Sequence, residues 1–164
     1  MMRLLVPRAA KFALQRHGAQ MYGKVHPYGL HLAHVEEVLL RFDHYDPDLL
    51  AAAWLHDVLE DTPTKYSELH VLFGKTVAEL VYAVTNEAGP NRAARHLLTY
   101  PKIRAYPGAT TLKLADRIAN TEFSVMQPMF SMYKREYEGL IEALYVEGEN
   151  GKMWAHLDEL YRER

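Results

Sequence analysis

Residues 49–61 read Leu-Leu-Ala-Ala-Ala-Trp-Leu-His-Asp-Val-Leu-Glu-Asp, an apolar run that ends in one histidine and three carboxylates. The run is rich in alanine and nearly continuously apolar, which favours a buried helix. Pro47 precedes it at a position that suits the first turn of a helix. We therefore predict that this stretch forms the central helix of an α-helical fold.

The polar end of the run indicates chemistry. If residues 51–61 are all helical, one stripe at the helix C-terminus carries His56, Asp57, Glu60 and Asp61. A helix C-terminus favours cations, and neighbouring carboxylates resist ionising together, so the acids add no stability there. A divalent cation between the carboxylates would remove their mutual repulsion. The structural alternative is that Glu60 and Asp61 are a solvated helix end and His56 is a hydrogen-bonded core histidine.

The rest of the chain also has helical periodicity. Apolar residues recur at helical spacing, as at Leu32, Val35 and Val38, and glycine and proline separate the periodic segments. The predicted helices cover residues 9–17, 30–42, 49–59, 65–73 (with Thr64 as N-cap), 76–85, 92–102, from about 110, 129–146, and a short C-terminal segment after Gly151. We find no alternating strand pattern, so we predict an all-α fold with residues 1–164 in a single domain.

Composition excludes several functional classes. The net charge of −2 gives no overall field that favours nucleic acid or an anionic membrane. The absence of cysteine excludes disulfides and thiolate catalysis. The start of the chain, residues 1–7, has too short an apolar run for a signal peptide, and no run approaches the roughly 20 apolar residues needed to span a bilayer. We expect a cytoplasmic protein that binds neither nucleic acid nor membrane.

Further candidate ligands lie outside the first cluster. Asp116 is a lone carboxylate in an apolar helical register, and a buried aspartate is rarely tolerated unless it is paired or ligates a metal. Arg117 is the salt-bridge alternative. Asn120 lies one turn further on the same face, where it could orient a water or hold a phosphate oxygen. His31 and His34 are three residues apart and can each offer a neutral imidazole, although such histidines are more often structural.

These residues fall into three segments that together resemble one family. The segments are His31-x-x-x-Val35, His56-Asp57-x-x-Glu60-Asp61-Thr62 and Lys113-Leu114-Ala115-Asp116-Arg117-x-x-Asn120. They are similar to those of the HD-domain phosphohydrolases, in particular the RelA/SpoT hydrolase domain and the small alarmone hydrolases. The resemblance covers about residues 8–145 and implies a single HD-domain helical bundle with a C-terminal helical extension.

The resemblance implies a metal site. The matching positions for its ligands are His31, His56, Asp57 and Asp116. The ion in this family is commonly manganese, although two imidazoles with two carboxylates suit several divalent metals. Such an ion would lower the pKa of its bound water and polarise a phosphoryl group. Dinuclear members have additional histidines between the motifs, where this chain has only His70 and His96, so we expect one ion.

The resemblance also implies roles around the metal. Glu60 and Asp61 would position and polarise the attacking water, and Asn120 would lie in the substrate pocket. Basic side chains before and within the Asp116 helix suit polyphosphate binding, with a solvated helix face as the structural alternative. The basic substrate-binding candidates are Lys113, Arg95 and Lys102. The roles of His34 and His96 stay open.

Two positions depart from the family pattern. The alarmone hydrolases usually carry His-x-x-Gln-x-Arg, whose arginine packs on the guanine base, and this chain has Tyr22 at that position after His17 and Gln20. Tyr22 could stack on a base but lacks the positive charge of arginine. The family also prefers proline after the first metal histidine, where this chain has Leu32. The sequence thus supports the metal site better than the alarmone as substrate.

Three functional hypotheses follow. The first is a metal-dependent nucleotide phosphohydrolase, with guanosine 3′,5′-bis(diphosphate), ppGpp, as the best substrate and its 3′-pyrophosphate as the leaving group. The second is an HD hydrolase of another nucleotide or phosphoester, such as a nucleoside monophosphate. The third is a non-catalytic module that binds nucleotide. Since the chain stops at Arg164 without a synthetase domain, we expect hydrolysis alone.

Overall fold

Helices dominate the part of the chain that the computed structural model describes, residues 4–162. They are α1 (Leu5–His17), α2 (Gly29–Arg41), α3 (Pro47–Leu55), α4 (Val58–Asp61), α5 (Tyr66–Phe73), α6 (Lys75–Val84), α7 (Arg92–Ala105), α8 (Ala109–Ser124), α9 (Met129–Leu144) and α10 (Gly151–Arg162). The all-α prediction is confirmed. The N-terminal segment considered for a signal peptide lies partly outside the described residues.

Helix α3 is the buried centre that its sequence predicts. Asp46 caps its N-terminus, because a carboxylate oxygen of Asp46 accepts from the backbone amides of Asp48 and Leu49, each at 2.9 Å. Pro47 occupies the first turn. The apolar side chains of the helix are buried against α1, α2 and α6. Helix α8 packs on the same centre from the other side and contacts α2, α3, α6 and α10.

The helix does not continue to Asp61, so the prediction of one unbroken stripe was wrong. Helix α3 ends at Leu55, and α4 begins at Val58 as a separate turn. The ring Nδ1 of His56 lies 2.8 Å from the carbonyl oxygen of Ala53. A continuing α-helix would use that carbonyl for the amide of Asp57. The side chain thus competes with the helical hydrogen bond at the junction that carries the polar cluster.

The predicted N-cap at Thr64 was also wrong. Lys65 occupies the N-cap position of α5 and its side chain makes no capping hydrogen bond. The hydroxyl of Thr64 lies 2.7 Å from the hydroxyl of Thr62, which in turn donates to the carbonyl of Val58 at 2.6 Å. Both threonines therefore close the C-terminal end of α4 instead of opening α5.

A small hairpin interrupts the predicted loop between α1 and α2. Strands β1 (Met21–Tyr22) and β2 (His26–Pro27) pair antiparallel, with Tyr22 opposite His26. Two residues per strand are too few for an alternating apolar pattern, which is why the sequence shows no strand signal. Gly23 has φ of +62° in the turn. The hairpin directs Tyr22 toward α2 and α8.

A polar cluster centred on Glu122, called here the Glu122 cluster, joins α2, α8 and α10 and includes His34. Glu122 on α8 accepts from His34 Nε2 at 2.8 Å, from His156 Nε2 at 2.7 Å, and from both terminal nitrogens of Arg41 at 2.8 and 2.9 Å. Both carboxylate oxygens of Glu122 therefore accept hydrogen bonds.

Within residues 4–162, none of the helices has the length and apolar character needed to cross a membrane.

Candidate metal centre

Four side chains converge where α2, the junction after α3, and α8 meet. The ligand atoms of His31, His56 and Asp116 all lie within 4.8 Å of one another. His31 Nε2 is 3.2 Å from His56 Nε2 and 3.3 Å from Asp116 Oδ1. Asp57 Oδ2 is 2.9 Å from His56 Nε2 and 3.6 Å from His31 Nε2. The four predicted ligands are thus brought together by segments far apart in the chain.

The charges of this cluster suit a cation. Burial raises the pKa of Asp116, but Lys113 and the two histidines outweigh it and hold that pKa well below its ordinary value. Burial likewise opposes a lowered pKa at Asp57, and His56 and His31 overcome it. The pKa of His56 is raised because the two carboxylates outweigh burial. Two anionic carboxylates therefore favour positive charge at the imidazole Nε2 atoms.

The donor set fits a divalent metal. The hydrogen bond from His56 Nδ1 to Ala53 turns Nε2 toward the cluster, an arrangement common for metal-bound histidine. Both histidines are almost fully buried, while Asp57 and Asp116 keep 20% and 14% of their side-chain surface exposed. Two imidazole nitrogens and two carboxylates match several divalent first-row metals.

Two predicted substrate contacts, Asn120 and Lys113, bind Asp116. The amide nitrogen of Asn120 donates to Asp116 Oδ1 at 2.6 Å and to its backbone carbonyl at 3.0 Å. Lys113 Nζ donates to Asp116 Oδ2 at 3.0 Å. Both residues line the cavity as well, but their hydrogen bonds orient a candidate ligand.

Tyr22 lies beside the same cluster and packs against two aromatic rings. Its ring stacks on His31, with centroids 4.7 Å apart, and packs at a tilt on Phe123 at 4.2 Å. Its hydroxyl donates to Asn120 Oδ1 at 2.8 Å. Tyr22 also lines the cavity described below, and its predicted contact to a nucleobase stays a prediction. Phe123, which the sequence analysis did not single out, closes this side of the site.

Glu60 and Asp61 lie at the rim of the cavity and are held from opposite sides. The carboxylate of Glu60 accepts from the backbone amide of Asn86 at 2.7 Å and from its side-chain nitrogen at 3.2 Å. Asp61 Oδ2 accepts from Gln20 Nε2 at 2.7 Å. The turn of α4 therefore places both acids in the lining of the same cavity as the candidate ligands, although the helix is not continuous with α3.

A polar cavity of about 280 Å³ opens over the candidate ligands. Its lining combines the candidate ligands, the two acids, three basic side chains and several aromatic and amide groups. These residues are Tyr22, Tyr28, His31, His56, Asp57, Glu60, Asp61, Val84, Asn86, Arg92, His96, Leu112, Lys113, Asp116, Arg117, Asn120 and Tyr133. The basic members, Arg92, Lys113 and Arg117, form one cationic wall.

The cavity does not include two of the predicted basic contacts. Arg95 and Lys102 are not among its lining residues. Lys102 Nζ instead donates to the carbonyl of Thr85 at 2.8 Å and to Glu87 at 2.5 Å. Arg95 and Lys102 follow Arg92 on α7 by three and ten residues, so a pattern of basic residues alone does not show which of them face the cavity.

The cationic wall depends on Glu136 of α9, which the sequence analysis missed. Its carboxylate accepts from Arg92 Nε at 2.5 Å and from Arg117 at 3.0 Å. Arg117 was considered a partner of Asp116 and pairs with Glu136 instead. His96 also reaches this cavity, and burial lowers its pKa to about 4, so its ring is neutral at pH 7. No sequence signal links α9 to these arginines, because the contact is long-range.

The fold and this site together define a class: a helical bundle with a histidine–aspartate cluster suited to a divalent metal. A family model described as HD domain matches residues 9–129. The chain belongs to the HD domain family, and the resemblance inferred from the three sequence segments is confirmed.

Relatives with known activity are similar to this chain. A guanosine-3′,5′-bis(diphosphate) 3′-pyrophosphohydrolase of Aquifex aeolicus is 36% identical over 71% of this chain, which spans 17% of that longer protein. A protein of the same name from Drosophila melanogaster is 30% identical over 84% of this chain and 81% of its own length. The solved structure of a metazoan SpoT ortholog that hydrolyses ppGpp has a TM-score of 0.84 at 26% identity, over 98% of this chain and 95% of that one.

Proposed function

We propose that the protein is a metal-dependent phosphohydrolase that removes pyrophosphate from the 3′ position of ppGpp. The observation that carries this proposal is the cavity itself, in which four candidate ligands, two acids and a cationic wall surround one space. The similar proteins named for this activity from Aquifex aeolicus and Drosophila melanogaster support the choice of substrate.

In this proposal His31, His56, Asp57 and Asp116 hold one divalent ion, with Mn²⁺ as the first candidate. When bound, such an ion supplies Lewis-acid polarisation of a phosphoryl oxygen and makes water more acidic. Tyr28 supports the set, because its hydroxyl donates to Asp57 Oδ2 at 2.5 Å. That contact occupies one lone pair and fixes the orientation of the carboxylate.

The two acids and the cationic wall have different roles in this proposal. Glu60 and Asp61 orient the attacking water and accept its proton, since both are carboxylates that line the cavity and are held by hydrogen bonds, Glu60 from Asn86 and Asp61 from Gln20. Arg92, Lys113 and Arg117 neutralise the charge that develops on the leaving pyrophosphate. Guanidinium groups suit this because they match the geometry of phosphate oxygens.

The cavity volume limits which part of the nucleotide is enclosed. About 280 Å³ is at the lower end for a small-molecule site, so it encloses the reacting phosphates and leaves much of the nucleoside outside. A second space of about 270 Å³ shares Tyr22, Asn120 and Tyr133 with this cavity and is the candidate place for the rest of the substrate.

The second candidate is an HD hydrolase of another nucleotide or phosphoester, such as a nucleoside monophosphate. Tyr22 favours it, because this residue stands where the alarmone hydrolases carry arginine and its ring packs on His31 and Phe123, while the four candidate metal ligands are present. No comparable observation supports a non-catalytic nucleotide-binding module. The expected cytoplasmic location stays a prediction from the sequence.

The experiment compares substrates on one preparation. Protein that has been stripped of metal and reloaded with Mn²⁺ is incubated with ppGpp, GMP, GTP and bis-p-nitrophenyl phosphate, and the released products are quantified. Release of pyrophosphate from ppGpp, lost on chelation, supports the proposal. Orthophosphate from GMP without turnover of ppGpp supports the second candidate. No turnover of any compound contradicts both.

A further inference from the structure

Asp61 is reached by a hydrogen-bonded chain that starts on a different helix. Gln20 Nε2 donates to Asp61 Oδ2 at 2.7 Å, and Gln20 Oε1 lies 2.8 Å from His17 Nδ1. We propose that His17 and Gln20 are positioning residues that hold Asp61 in its working orientation. This inference rests on the proposed function, because it concerns how the carboxylate of Asp61 is oriented in the cavity.

The chemistry of the groups fixes the direction of every bond in the chain. An ionised carboxylate only accepts hydrogen bonds, so the amide nitrogen of Gln20 must face Asp61. The amide oxygen of Gln20 then faces His17 and needs a donor. His17 therefore carries a proton on Nδ1. Its other nitrogen, Nε2, is buried and has no hydrogen-bond partner among the described residues.

The chain is anchored at its far end. His17 is the last residue of α1, only 6% exposed, and its ring stacks on Tyr28 with centroids 4.6 Å apart. The backbone of Gln20 is also held on both sides, because its amide donates to the carbonyl of His17 at 2.9 Å and its carbonyl accepts from Tyr28 at 3.0 Å. The backbone of Gln20 is thus fixed at both its amide and its carbonyl, which restricts the positions that its side chain can reach.

The network gives the His-x-x-Gln segment a role distinct from base contact. The segment precedes the position at which the sequence analysis expected base packing, yet its two polar side chains point to Asp61. Glu60 is not part of this chain of hydrogen bonds, because its carboxylate accepts from Asn86 instead. Loss of Gln20 should therefore impair one acid and leave the other in place.

The first test separates rate from binding. Gln20→Ala should lower kcat for ppGpp hydrolysis by about 10- to 100-fold, the usual effect of removing a group that orients an active residue. The KM for ppGpp and the bound Mn²⁺ per chain should stay within about twofold of wild type, since neither the cationic wall nor the ligands change. Gln15→Ala is the matched control, because Gln15 is exposed on α1. An unchanged kcat in Gln20→Ala overturns the proposal.

A matched pair at His17 tests the geometry. An asparagine amide nitrogen falls near the position of Nδ1, whereas that of glutamine reaches the position of Nε2. His17→Asn should therefore keep most of the wild-type kcat, and His17→Gln should lose as much as Gln20→Ala. The double variant His17→Gln/Gln20→Ala should be no worse than either single variant, because both break one chain. Equal losses in the two His17 variants would contradict the positioning role.

A readout without substrate keeps this inference separate from the proposed function. The ¹⁵N chemical shifts of His17 in the Mg²⁺-loaded wild-type protein should report a proton on Nδ1, and Gln20→Ala should change them. A proton on Nε2 alone overturns the network whatever the enzyme hydrolyses. If ppGpp is not hydrolysed but His17 carries its proton on Nδ1 and responds to Gln20→Ala, the function fails and the network stands.

Discussion

At the scale of single residues, Asp116 serves both the candidate metal centre and the cavity wall. One of its oxygens faces His31 and accepts from Asn120, and the other accepts from Lys113. A carboxylate with this many partners has little freedom to rotate. Its position therefore determines where a bound cation would lie relative to the cationic wall.

Removal of this carboxylate should abolish metal binding. Asp116→Ala takes away an anionic ligand and leaves Lys113 buried beside the centre, where its charge repels a cation. The variant should bind less than about 0.1 Mn²⁺ per chain by elemental analysis, because a candidate ligand is lost. Glu138→Ala, an exposed carboxylate on α9, should keep the wild-type content. Stoichiometric metal in Asp116→Ala would show that the ligand set is different.

Glu60 allows the opposite separation, in which metal is kept and turnover is lost. Glu60→Gln preserves an oxygen that accepts from the Asn86 amide but cannot take a proton from water. The kcat should fall by about 10²- to 10⁴-fold, the range for a general base, with wild-type metal content. The comparison is made on ppGpp in steady-state assays. A variant that keeps more than a tenth of the kcat would exclude Glu60 as the base.

Single residues also mark the limit of sequence reasoning. The family resemblance selects His31, His56, Asp57 and Asp116 as ligands, and the structure brings these four side chains together. That they bind an ion stays a prediction. The hydrogen bonds of Asn120 and Lys113 to Asp116 could not be predicted, since a contact to substrate uses the same chemistry. Both residues line the cavity as well, so their predicted contact to substrate stays a prediction.

At the scale of elements, α7 shows how one helix presents its basic side chains differently. Arg92 lines the cavity and pairs with Glu136, while Arg95, one turn on, is not part of the lining. The helix begins at Arg92 and is capped by Asn91, whose side chain accepts from the amide of Ala94 at 2.9 Å. The cap fixes the orientation of the first turn and thus of Arg92.

This difference gives a paired test of substrate binding. Arg92→Ala should raise the KM for ppGpp about 10-fold or more, because a phosphate-binding charge is lost. Arg95→Ala should change the KM by less than about twofold, as expected of a charge outside the cavity. Both constants come from initial rates at saturating Mn²⁺. A larger effect for Arg95 would restore the assignment made from the sequence alone.

The Glu122 cluster is the element-scale test of stability. Burial raises the pKa of Glu122, but hydrogen bonds from His34, Arg41 and His156 outweigh it and lower that pKa far below the ordinary value of 4.5. A lowered pKa in the folded state adds stability above pH 4.5, and this contribution is lost as the pH falls toward the folded-state pKa. Glu122→Gln should cost about 2 kcal/mol at pH 7 by urea unfolding. The difference from wild type should shrink below pH 4.5, and a constant difference would contradict the ionic origin.

The elements were predicted with uneven success. Helices α2, α6 and α9 were placed within about two residues, and the start of α8 within one, because long amphipathic periods are robust. The break at His56 was missed, since it depends on a side chain that competes for a backbone carbonyl. The hairpin was missed because two-residue strands carry no period.

At the scale of the whole molecule, the family and the all-α bundle follow from the sequence, whereas the cavity wall does not. The wall needs α9 beside α7 and α8, and Glu136 has no motif that announces this contact. The division into a motif-bearing core of about residues 8–145 and a C-terminal extension stays a prediction. The contacts of α10 with α8 show that this extension packs on the helix that carries Asp116.

Metal binding should stabilise the entire fold, because the candidate ligands join three separate segments. At a metal concentration of 100 times Kd, linkage adds about 2.7 kcal/mol, which corresponds to a rise in Tm of roughly 5–10 °C for a domain of this size. Thermal denaturation with Mn²⁺ and with chelator measures the shift. Asp116→Ala should show no shift, and an equal shift in both proteins would mean that the ion binds elsewhere.

The order of the candidate ligands along the chain has a consequence for synthesis. His31, His56 and Asp57 leave the ribosome well before Asp116, and α10, which packs on α8, follows them. A nascent or prematurely terminated chain that stops before α8 therefore lacks one of the four candidate ligands. If these four side chains hold the ion as proposed, tight metal capture should begin only once α8 has been synthesised.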